Sequence, residues 1–306
     1  MTMTEPKTKP SRDRTARRID PRNAYPRPPF PKQEQELPGR DYLLEPKPDH
    51  GEDSYVGSGR LTGLATIITG ADSGIGKAVA LAFAREGADV VISYRDAHDD
   101  AKQTIELVEA EGRRAISIPG DLQDEDHCRR IIERTRDELG GIDVLVNNAA
   151  YQQRFEAVEE VSTEEWERTL RTNLTATFWL CREAAKVMEP GASIINVSSI
   201  QARQPSANLL AYATTKGALV TYSQALSGLL APRGIRVNIV APGPVWTPLV
   251  AATTDPEKLS QFGGDTPVGR PAQPAELAPA FVFLASPEAS YITGAVVPVT
   301  GGEFYA

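Results

Sequence analysis

From about Leu61 onward, short apolar runs alternate with longer amphipathic stretches through the rest of the chain. Each run is four to six residues long and almost uniformly apolar, which is typical of a strand covered on both faces. The stretches between the runs place their apolar residues with the period of a helix. Because strands that alternate with helices form parallel sheets, we predict an α/β fold whose doubly wound, seven-stranded parallel sheet is flanked by helices.

The boundaries of these elements follow from the apolar runs and from capping residues. The predicted strands are Ala65–Thr69, Asp89–Tyr94, Ala115–Ile118, Asp143–Val146, Ser193–Val197, Arg236–Val240 and Val296–Val299. The predicted helices are Gly76–Glu86, Ala101–Glu111, Glu125–Leu139, one long helix over Thr163–Met188, Leu209–Leu230 and Ala275–Ala285. Gly87 is predicted to end the first helix, and Ser162 or Thr163 to cap the long one.

The first 60 residues differ in composition from the rest. They contain 10 of the 24 prolines, and proline removes a backbone donor and interrupts both helices and sheets. We therefore predict an irregular, Pro-rich N-terminal arm over residues 1–60 and one folded domain over residues 61–306. Linker or fusion remnants are the alternative, but the arm also has apolar residues that could pack on the domain: Tyr25 to Phe30, Leu37, Tyr42, Leu43 and Leu44.

Charge and composition exclude several classes of protein. Residues 1–60 carry 12 Lys+Arg against 10 Asp+Glu (+2), whereas the remainder carries 21 against 31 (−10), so we expect no nucleic-acid partner. No apolar run reaches the roughly 18 residues of a membrane span, and the N-terminus lacks the apolar segment of a secretory signal. Cys128, Cys181 and three scattered histidines offer neither a disulfide framework nor a metal site. We expect a cytoplasmic protein with no membrane partner and no metal.

A glycine-rich turn, TGADSGIG at residues 69–76, joins the first strand to the first helix. Glycine allows a tight turn and a close backbone approach to a pyrophosphate, and the helix N-terminus presents free N–H groups to the anion. A plain strand-to-helix turn would also use glycine. The glycine-rich turn follows the first strand of a chain in which strands and helices alternate, and this position favours a Rossmann-type dinucleotide site.

This turn resembles the TGxxxGIG motif of the short-chain dehydrogenase/reductase family, and the other motifs of that family recur in order. They are NNAA at residues 147–150, with Ala150 in place of the usual glycine, Asn173 in the long helix, Ser199, Tyr212 with Lys216, and APGPVWT at residues 241–247. Together they span residues 61–302. The N-terminal extension is similar to that of a bacterial branch of glucose/ribitol-dehydrogenase-like and general-stress oxidoreductases.

The spacing of Tyr212 and Lys216 suits proton transfer to or from a carbonyl oxygen. Residues four apart on a helix share one face, so the ammonium of Lys216 can approach the phenol and lower its pKa from about 10. The resemblance implies that Tyr212 is the acid/base, Lys216 its partner and ribose ligand, Ser199 the residue that polarises the carbonyl, and Asn173 the holder of a water beside Lys216. A surface Tyr/Lys pair is the simpler alternative.

The predicted cofactor is NADP in preference to NAD. NAD-selective sites place an acid at the end of the second strand, but here Tyr94 and Arg95 stand there, and Arg95 could pair with a 2′-phosphate. Asp121 is assigned to the adenine by the resemblance and could instead simply cap a helix. The predicted cofactor contacts are Gly70, Asp72, Ser73, Gly74, Ile75, Gly76, Tyr94, Arg95, Asp121, Leu122, Asn148, Ala149, Tyr212, Lys216, Pro242, Gly243, Val245 and Thr247.

Substrate determinants are expected in three segments: Tyr151–Arg154, Gln201–Leu210, and Pro248–Arg270, which we interpret as a mobile lid. Tyr151, Gln201 and Trp246 are the candidate substrate residues, although Trp246 could equally pack in the core. The resemblance implies an NAD(P)-dependent oxidoreductase acting on a small aldehyde, ketone, sugar or polyol, and a homotetramer.

Two other functions stay open. A reductase of 3-oxoacyl groups on an acyl carrier protein would share every motif, but the lid is net −1 and would repel an acidic carrier. A non-catalytic dinucleotide-binding regulator is the alternative from a different class, and the presence of all four catalytic positions speaks against it.

Overall fold

The computed structural model describes residues 19–305, so residues 1–18 of the predicted arm lie outside the described part. Seven strands form one entirely parallel sheet in the order β3-β2-β1-β4-β5-β6-β7, which confirms the predicted fold class. The strands are β1 Ala65–Thr69, β2 Asp89–Tyr94, β3 Ala115–Pro119, β4 Val144–Asn147, β5 Ser193–Val197, β6 Arg236–Pro242 and β7 Val296–Val299.

Helices cover both faces of the sheet. They are α1 Gly74–Arg85, α2 His98–Ala110, α3 Glu125–Leu139, α4 Thr163–Leu170, α5 Ala176–Val187, α6 Leu210–Leu230, α7 Pro248–Ala251, α8 Pro256–Ser260 and α9 Pro274–Ala285. One buried apolar cluster joins the sheet to α1, α2 and α9, and a second joins it to α3, α5 and α6. The strands are therefore apolar on both faces because each face is covered.

The long helix predicted over Thr163–Met188 is interrupted. A π-helical turn, Arg171–Thr175, separates α4 from α5, and Ser162 is the residue that caps α4. The widened turn holds Asn173 inside the fold, where its carboxamide bonds the backbone of Tyr151. A sequence period of 3.6 residues cannot reveal one extra residue in a turn, because α4 and α5 both keep that period.

The direction of the chain reverses beside β1. The chain fills one half of the sheet through β2 and β3 and then returns to pair β4 with the other side of β1. In doubly wound sheets a crevice opens at such a point, beyond the carboxyl ends of the strands. The glycine-rich turn after β1 and the NNAA segment after β4 both lie at this crevice.

The N-terminal arm lies on the domain as an irregular segment with two short 3₁₀ turns, Pro21–Asn23 and Asp41–Leu43. It packs against Trp246 and against residues 248–270, hereafter the lid segment. The contact is made by the arm–lid cluster of Phe30, Leu44, Trp246, Ala251 and Leu259. Tyr42 and Leu43 remain exposed. The arm is thus attached along part of its apolar stretch.

The lid segment contains α7 and α8, which the sequence did not predict. Phe30 N donates to Ser260 O over 2.8 Å, and Leu259 is fully buried beneath the arm. The mobility predicted for this segment therefore has to include release from the arm. Within residues 19–305, every helix is too short or too polar to cross a lipid bilayer.

Candidate active site

The glycine-rich turn has the geometry of an anion cradle. Gly70 has a φ of 64°, and a Cβ on Gly76 would lie 2.0 Å from Gly70 O, so position 76 accepts only glycine. Helix α1 begins within the turn at Gly74, so its N-terminal N–H groups, which lack partners within the helix, lie at the crevice. The first of them, Gly74 N, donates to Asp41 Oδ2 in the arm. The backbone around this turn therefore fits a pyrophosphate.

The residues after β4 fix that turn from the other side. Asn148 Nδ2 donates to Thr69 O and Gly70 O over 2.9 and 3.1 Å, and the N–H groups of Asn148 and Ala149 both donate to Thr69 Oγ1. These hydrogen bonds join the ends of the two strands. They fix the position of the glycine-rich turn relative to the residues after β4.

The serine, tyrosine and lysine predicted to be catalytic lie in one region of the same crevice. Ser199 follows β5, and its Oγ accepts from Gln201 N over 3.2 Å. Tyr212 and Lys216 stand one turn apart on α6, and Lys216 Nζ lies 5.4 Å from the centre of the Tyr212 ring. Lys216 is 1% exposed and donates from Nζ to Val197 O at the end of β5 over 2.7 Å.

Asn173 lies behind these residues, outside the cavity lining, and makes hydrogen bonds to the segments that carry them. Its Nδ2 donates to Tyr151 O and Thr215 Oγ1, and its Oδ1 accepts from Tyr151 N over 2.7 Å. The carboxamide therefore ties the loop after β4 to helix α6, next to Lys216. A water held there by Asn173 stays a prediction.

Burial changes both proton-transfer groups, and in opposite directions. It raises the pKa of Tyr212 to about 12, with the neighbouring Ser199 hydroxyl acting against the rise, and it lowers the pKa of Lys216 to about 7. Burial outweighs the Ser199 hydroxyl at Tyr212, and the lowering of the tyrosine pKa by Lys216 stays a prediction. A buried lysine that readily loses its charge gives little support to a phenolate. Tyr212 holds its proton at neutral pH, as a proton donor requires.

One cavity of about 1480 Å³ connects the turn, the catalytic residues and the lid segment. It exceeds the usual 300–1,000 Å³ of small-molecule pockets and has room for a dinucleotide together with a substrate. The predicted site residues that line it are Gly70, Asp72, Ser73, Gly74, Ile75, Tyr94, Arg95, Asp121, Leu122, Asn148, Ala149, Tyr151, Ser199, Gln201, Tyr212, Lys216, Pro242, Gly243, Val245 and Thr247. Gly76 and Asn173 lie behind the lining.

The structure contradicts the assignment of Trp246 as a substrate residue. Its side chain is 1% exposed, lies outside the lining, and packs against Phe30 with ring centres 4.5 Å apart and the ring planes tilted by 44°. Its Nε1 donates to Pro46 O in the arm. The indole is large and amphipathic, and here it serves the arm–lid cluster.

Arg95 and Asp121, at the predicted adenosine end of the cavity, make different hydrogen bonds. Arg95 Nε bonds its neighbour Asp96, and nearly half of the arginine side chain is exposed. Asp121 is not a helix cap, because Asp124 caps α3 and Asp121 accepts from Gln123 N. Both residues line the cavity beside Tyr94, whose hydroxyl is held by His98 and Ser117.

Sequence reasoning missed the part played by the arm at this site. Arg27, Pro28, Leu37 and Pro38 line the cavity, and Asp41 Oδ2 accepts from Gly74 N at the start of α1. The only signal was the apolar stretch within the Pro-rich arm. Within residues 19–305 no cluster of three metal-ligating side chains forms, and Cys128 and Cys181 are buried free thiols.

Comparisons with known proteins agree with this geometry. A family model described as enoyl-(acyl carrier protein) reductase, which belongs to the short-chain dehydrogenase/reductase family, matches residues 70–303. The chain is 44% identical over 280 residues to the glucose and ribitol dehydrogenase of Daucus carota, covering 89% of this chain and 96% of that protein. It is 42% identical over 272 residues to the NADPH-dependent aldehyde reductase 1, chloroplastic, of Arabidopsis thaliana, covering 87% and 94%.

A crystal structure of a short chain dehydrogenase from Burkholderia cenocepacia J2315 in complex with NADP superposes with a TM-score of 0.75 at 32% identity. The match covers 79% of this chain and 98% of that one. Sequence and fold agree over nearly the whole folded domain. The chain therefore belongs to the short-chain dehydrogenase/reductase family of oxidoreductases.

Proposed function

We propose that the protein is an NADP-dependent oxidoreductase that interconverts a small carbonyl compound and its alcohol. The observation that carries the proposal is the meeting of Ser199, Tyr212 and Lys216 with the glycine-rich turn in one cavity. The carrot relative is a glucose and ribitol dehydrogenase and the Arabidopsis relative an aldehyde reductase, and both support this substrate class.

The residues present fit a nicotinamide dinucleotide. The turn at residues 70–76 would hold the pyrophosphate, because position 76 admits no side chain and α1 offers its N-terminus there. A bound cofactor would supply or accept the hydride at the carbonyl carbon. The adenosine would lie near Asp121, Leu122, Asn148 and Ala149, and the nicotinamide amide near Pro242, Gly243, Val245 and Thr247.

The chain's own groups would handle the carbonyl oxygen. Tyr212, with a pKa of about 12, is protonated at neutral pH and can donate its proton as charge develops on that oxygen. The Ser199 hydroxyl can donate a hydrogen bond to the same oxygen and fix the substrate. Lys216, anchored to Val197 O, lies one helical turn behind the phenol and can bind the ribose. These roles favour carbonyl reduction at neutral pH.

The preference for NADP rests on Arg95. Its guanidinium lines the cavity beyond β2, where an NAD-selective site would place an acid. A 2′-phosphate there could draw Arg95 from its exposed pair with Asp96, because exposed ion pairs contribute only about 0–1 kcal/mol. The NADP complex of the Burkholderia protein supports the same choice.

A homotetramer in the cytoplasm completes the proposal, and both parts stay predictions from the sequence and the family resemblance. Several large apolar side chains are exposed on the folded domain and suit contacts between copies of the chain. They are Phe178, Leu210, Leu229, Tyr291 and Phe304.

The experiment is a Tyr212→Phe substitution, assayed by NADPH absorbance over aldehydes, ketoses, polyols and an acetoacetyl thioester. We expect kcat to fall at least about 100-fold with NADPH binding retained, because general acid catalysis contributes that much. Tyr291→Phe, which removes a fully exposed hydroxyl, is the matched control. Unchanged turnover in Tyr212→Phe would refute the mechanism.

The same assay separates the other functions. Activity confined to a carrier-bound thioester, and weakening steeply with salt, would indicate the acyl-carrier-protein reductase instead. NADPH binding without turnover of any compound would indicate the non-catalytic regulator.

A further inference from the structure

Arg154 joins the three segments in which substrate determinants are predicted. It ends the first of them, the loop after β4. Its Nε donates to Thr253 O in the lid segment over 2.8 Å, and its Nη1 donates to Asn208 Oδ1 before α6 over 3.2 Å. The guanidinium also lines the cavity. It therefore lies at the substrate end of the cavity, among the walls that surround Tyr212.

This cation is partly buried without a counter-ion. No carboxylate within residues 19–305 forms an ion pair with Arg154, and its two hydrogen-bond acceptors are both uncharged. Burial lowers its pKa, and the charge of exposed Glu156 opposes the fall. Burial of an unpaired charge is costly in a folded protein unless another group compensates for it.

Arg236 shows how the same fold satisfies a structural arginine. That side chain is also partly buried without a carboxylate, but its two terminal nitrogens donate to the carbonyls that end α9, at Leu284, Ala285 and Ser286. Arg154 differs in that its Nη2 has no hydrogen-bond partner in the described part of the chain, yet is not enclosed by protein. A donor is thus left available on the cavity wall.

We propose that Arg154 binds a carboxylate of the substrate, so that the substrate is a small aldehyde or ketone with a carboxylate at its far end. This inference rests on the proposed function and narrows its substrate class. Arginine holds carboxylates through paired N–H donors, and one positive charge matches one carboxylate. Five acids line the cavity, and within residues 19–305 none of them pairs with Arg154; they are Asp72, Asp96, Asp121, Asp265 and Glu303.

The test compares 4-oxobutanoate with butanal, which differ only by a carboxylate in place of a methyl group. With NADPH, we expect the unaltered protein to favour 4-oxobutanoate by about 10- to 100-fold in kcat/KM, the range of a charge-assisted hydrogen bond. Arg154→Gln should lower this ratio at least about tenfold, mainly by weakening the binding of the oxo acid and so raising its Michaelis constant. Arg154→Lys, which keeps the charge but loses the planar donors, should give an intermediate ratio.

Lys258→Gln is the matched control, since it removes an exposed cation that lines the same cavity. If Lys258→Gln lowers the ratio of kcat/KM for 4-oxobutanoate over butanal as much as Arg154→Gln does, the preference comes from the overall positive charge around the cavity. The proposal is then wrong. An equal loss for both aldehydes in Arg154→Gln would make Arg154 a structural tie between lid and loop, which also overturns it. NADPH binding to Arg154→Gln, followed by fluorescence, reports whether the cofactor end of the cavity is intact.

Two outcomes separate this inference from the function on which it rests. If the unaltered protein reduces both aldehydes with equal kcat/KM, the oxidoreductase stands and the carboxylate site fails. If it reduces neither, both proposals fail. A stronger preference for a phosphorylated aldehyde than for 4-oxobutanoate would refute the assignment of a carboxylate.

Discussion

Replacing Lys216 by methionine should make the protein more stable while it abolishes activity. Burial lowers the pKa of Lys216 from 10.5 to about 7, whereas the unfolded chain keeps the ordinary value. At a pH below 7 the folded protein therefore contains a charged, buried ammonium. Each unit of pKa corresponds to about 1.4 kcal/mol, so the charge costs about 5 kcal/mol of folding free energy there. Methionine has a similar length and removes the charge.

The sign of the pH dependence follows from the two pKa values. Between about pH 7 and 10.5 the unfolded state binds more protons at this position than the folded state, so the stability of the unaltered protein rises with pH. From pH 7 to 8.5 this gain is about 2 kcal/mol. The methionine variant lacks the gain and also loses the hydrogen bond to Val197 O, worth about 1 kcal/mol. Its advantage should therefore be largest near pH 6.5 and shrink by about 2 kcal/mol at pH 8.5.

Urea unfolding of both proteins at pH 6.5, 7.5 and 8.5 measures this difference directly. All other titrating groups are common to the two proteins and cancel in the comparison. Lys258→Met, at an exposed lysine, is the control. The pH dependence of its free energy of unfolding should match that of the unaltered protein. If the stability of Lys216→Met also runs parallel across this pH range, Lys216 is not a strained ammonium and the reasoning is refuted.

Two further predictions concern cofactor choice and the arm. Arg95→Ala should lower the NADPH-to-NADH ratio of kcat/KM about tenfold, because it removes one charge-assisted contact to the 2′-phosphate; a strong preference for NADH that Arg95→Ala leaves unaltered would contradict this. At Glu86, whose side chain is 0% exposed, burial is outweighed by hydrogen bonds from Arg60 and Tyr55, which lower the pKa from 4.5 to about 2. Because the folded pKa lies below the unfolded one, Glu86→Gln should lower the free energy of unfolding by about 3 kcal/mol at pH 7. This loss should vanish as the pH falls from about 4.5 to 2. Chemical unfolding of both proteins across this pH range measures the loss, and a loss that does not change with pH would contradict the prediction.

The sequence predicted the sheet well because its strands are short, apolar and regularly spaced. Ala65–Thr69, Asp89–Tyr94, Ser193–Val197 and Val296–Val299 have the predicted bounds. The other strands differ by one or two residues at one end or, for β4, by one residue at both ends. Helix α1 begins two residues earlier than predicted, since Gly74 and Ile75 belong both to the phosphate turn and to the helix. Local periodicity decides such elements, and tertiary contacts only move their ends.

The positions of site residues could be predicted where one short sequence motif contains several of them. They could not be predicted where the site depends on contacts between segments far apart in the sequence. Tyr212 and Lys216 share a helix face because of their spacing alone. Trp246, by contrast, could be assigned to the substrate or to the core, since only the position of Phe30 decides which surface covers the indole. The lowered pKa of Lys216 likewise could not be predicted from the sequence, because it depends on how completely the fold excludes water around the ammonium group.

The arm also bears on how the chain reaches its native state. Arg27 bonds Gly269 O across 242 residues of sequence, and Pro46 O accepts from Trp246 across 200. During synthesis these parts of the arm leave the ribosome well before the surfaces on which they dock have been made. The part of the arm that docks on Trp246 and the lid segment must therefore stay unattached there until those residues are made, whereas Tyr55 and Arg60 can already bond Glu86 after α1. A segment rich in proline suits that interval, since it resists helix formation and strand pairing until Trp246 and the lid segment are in place.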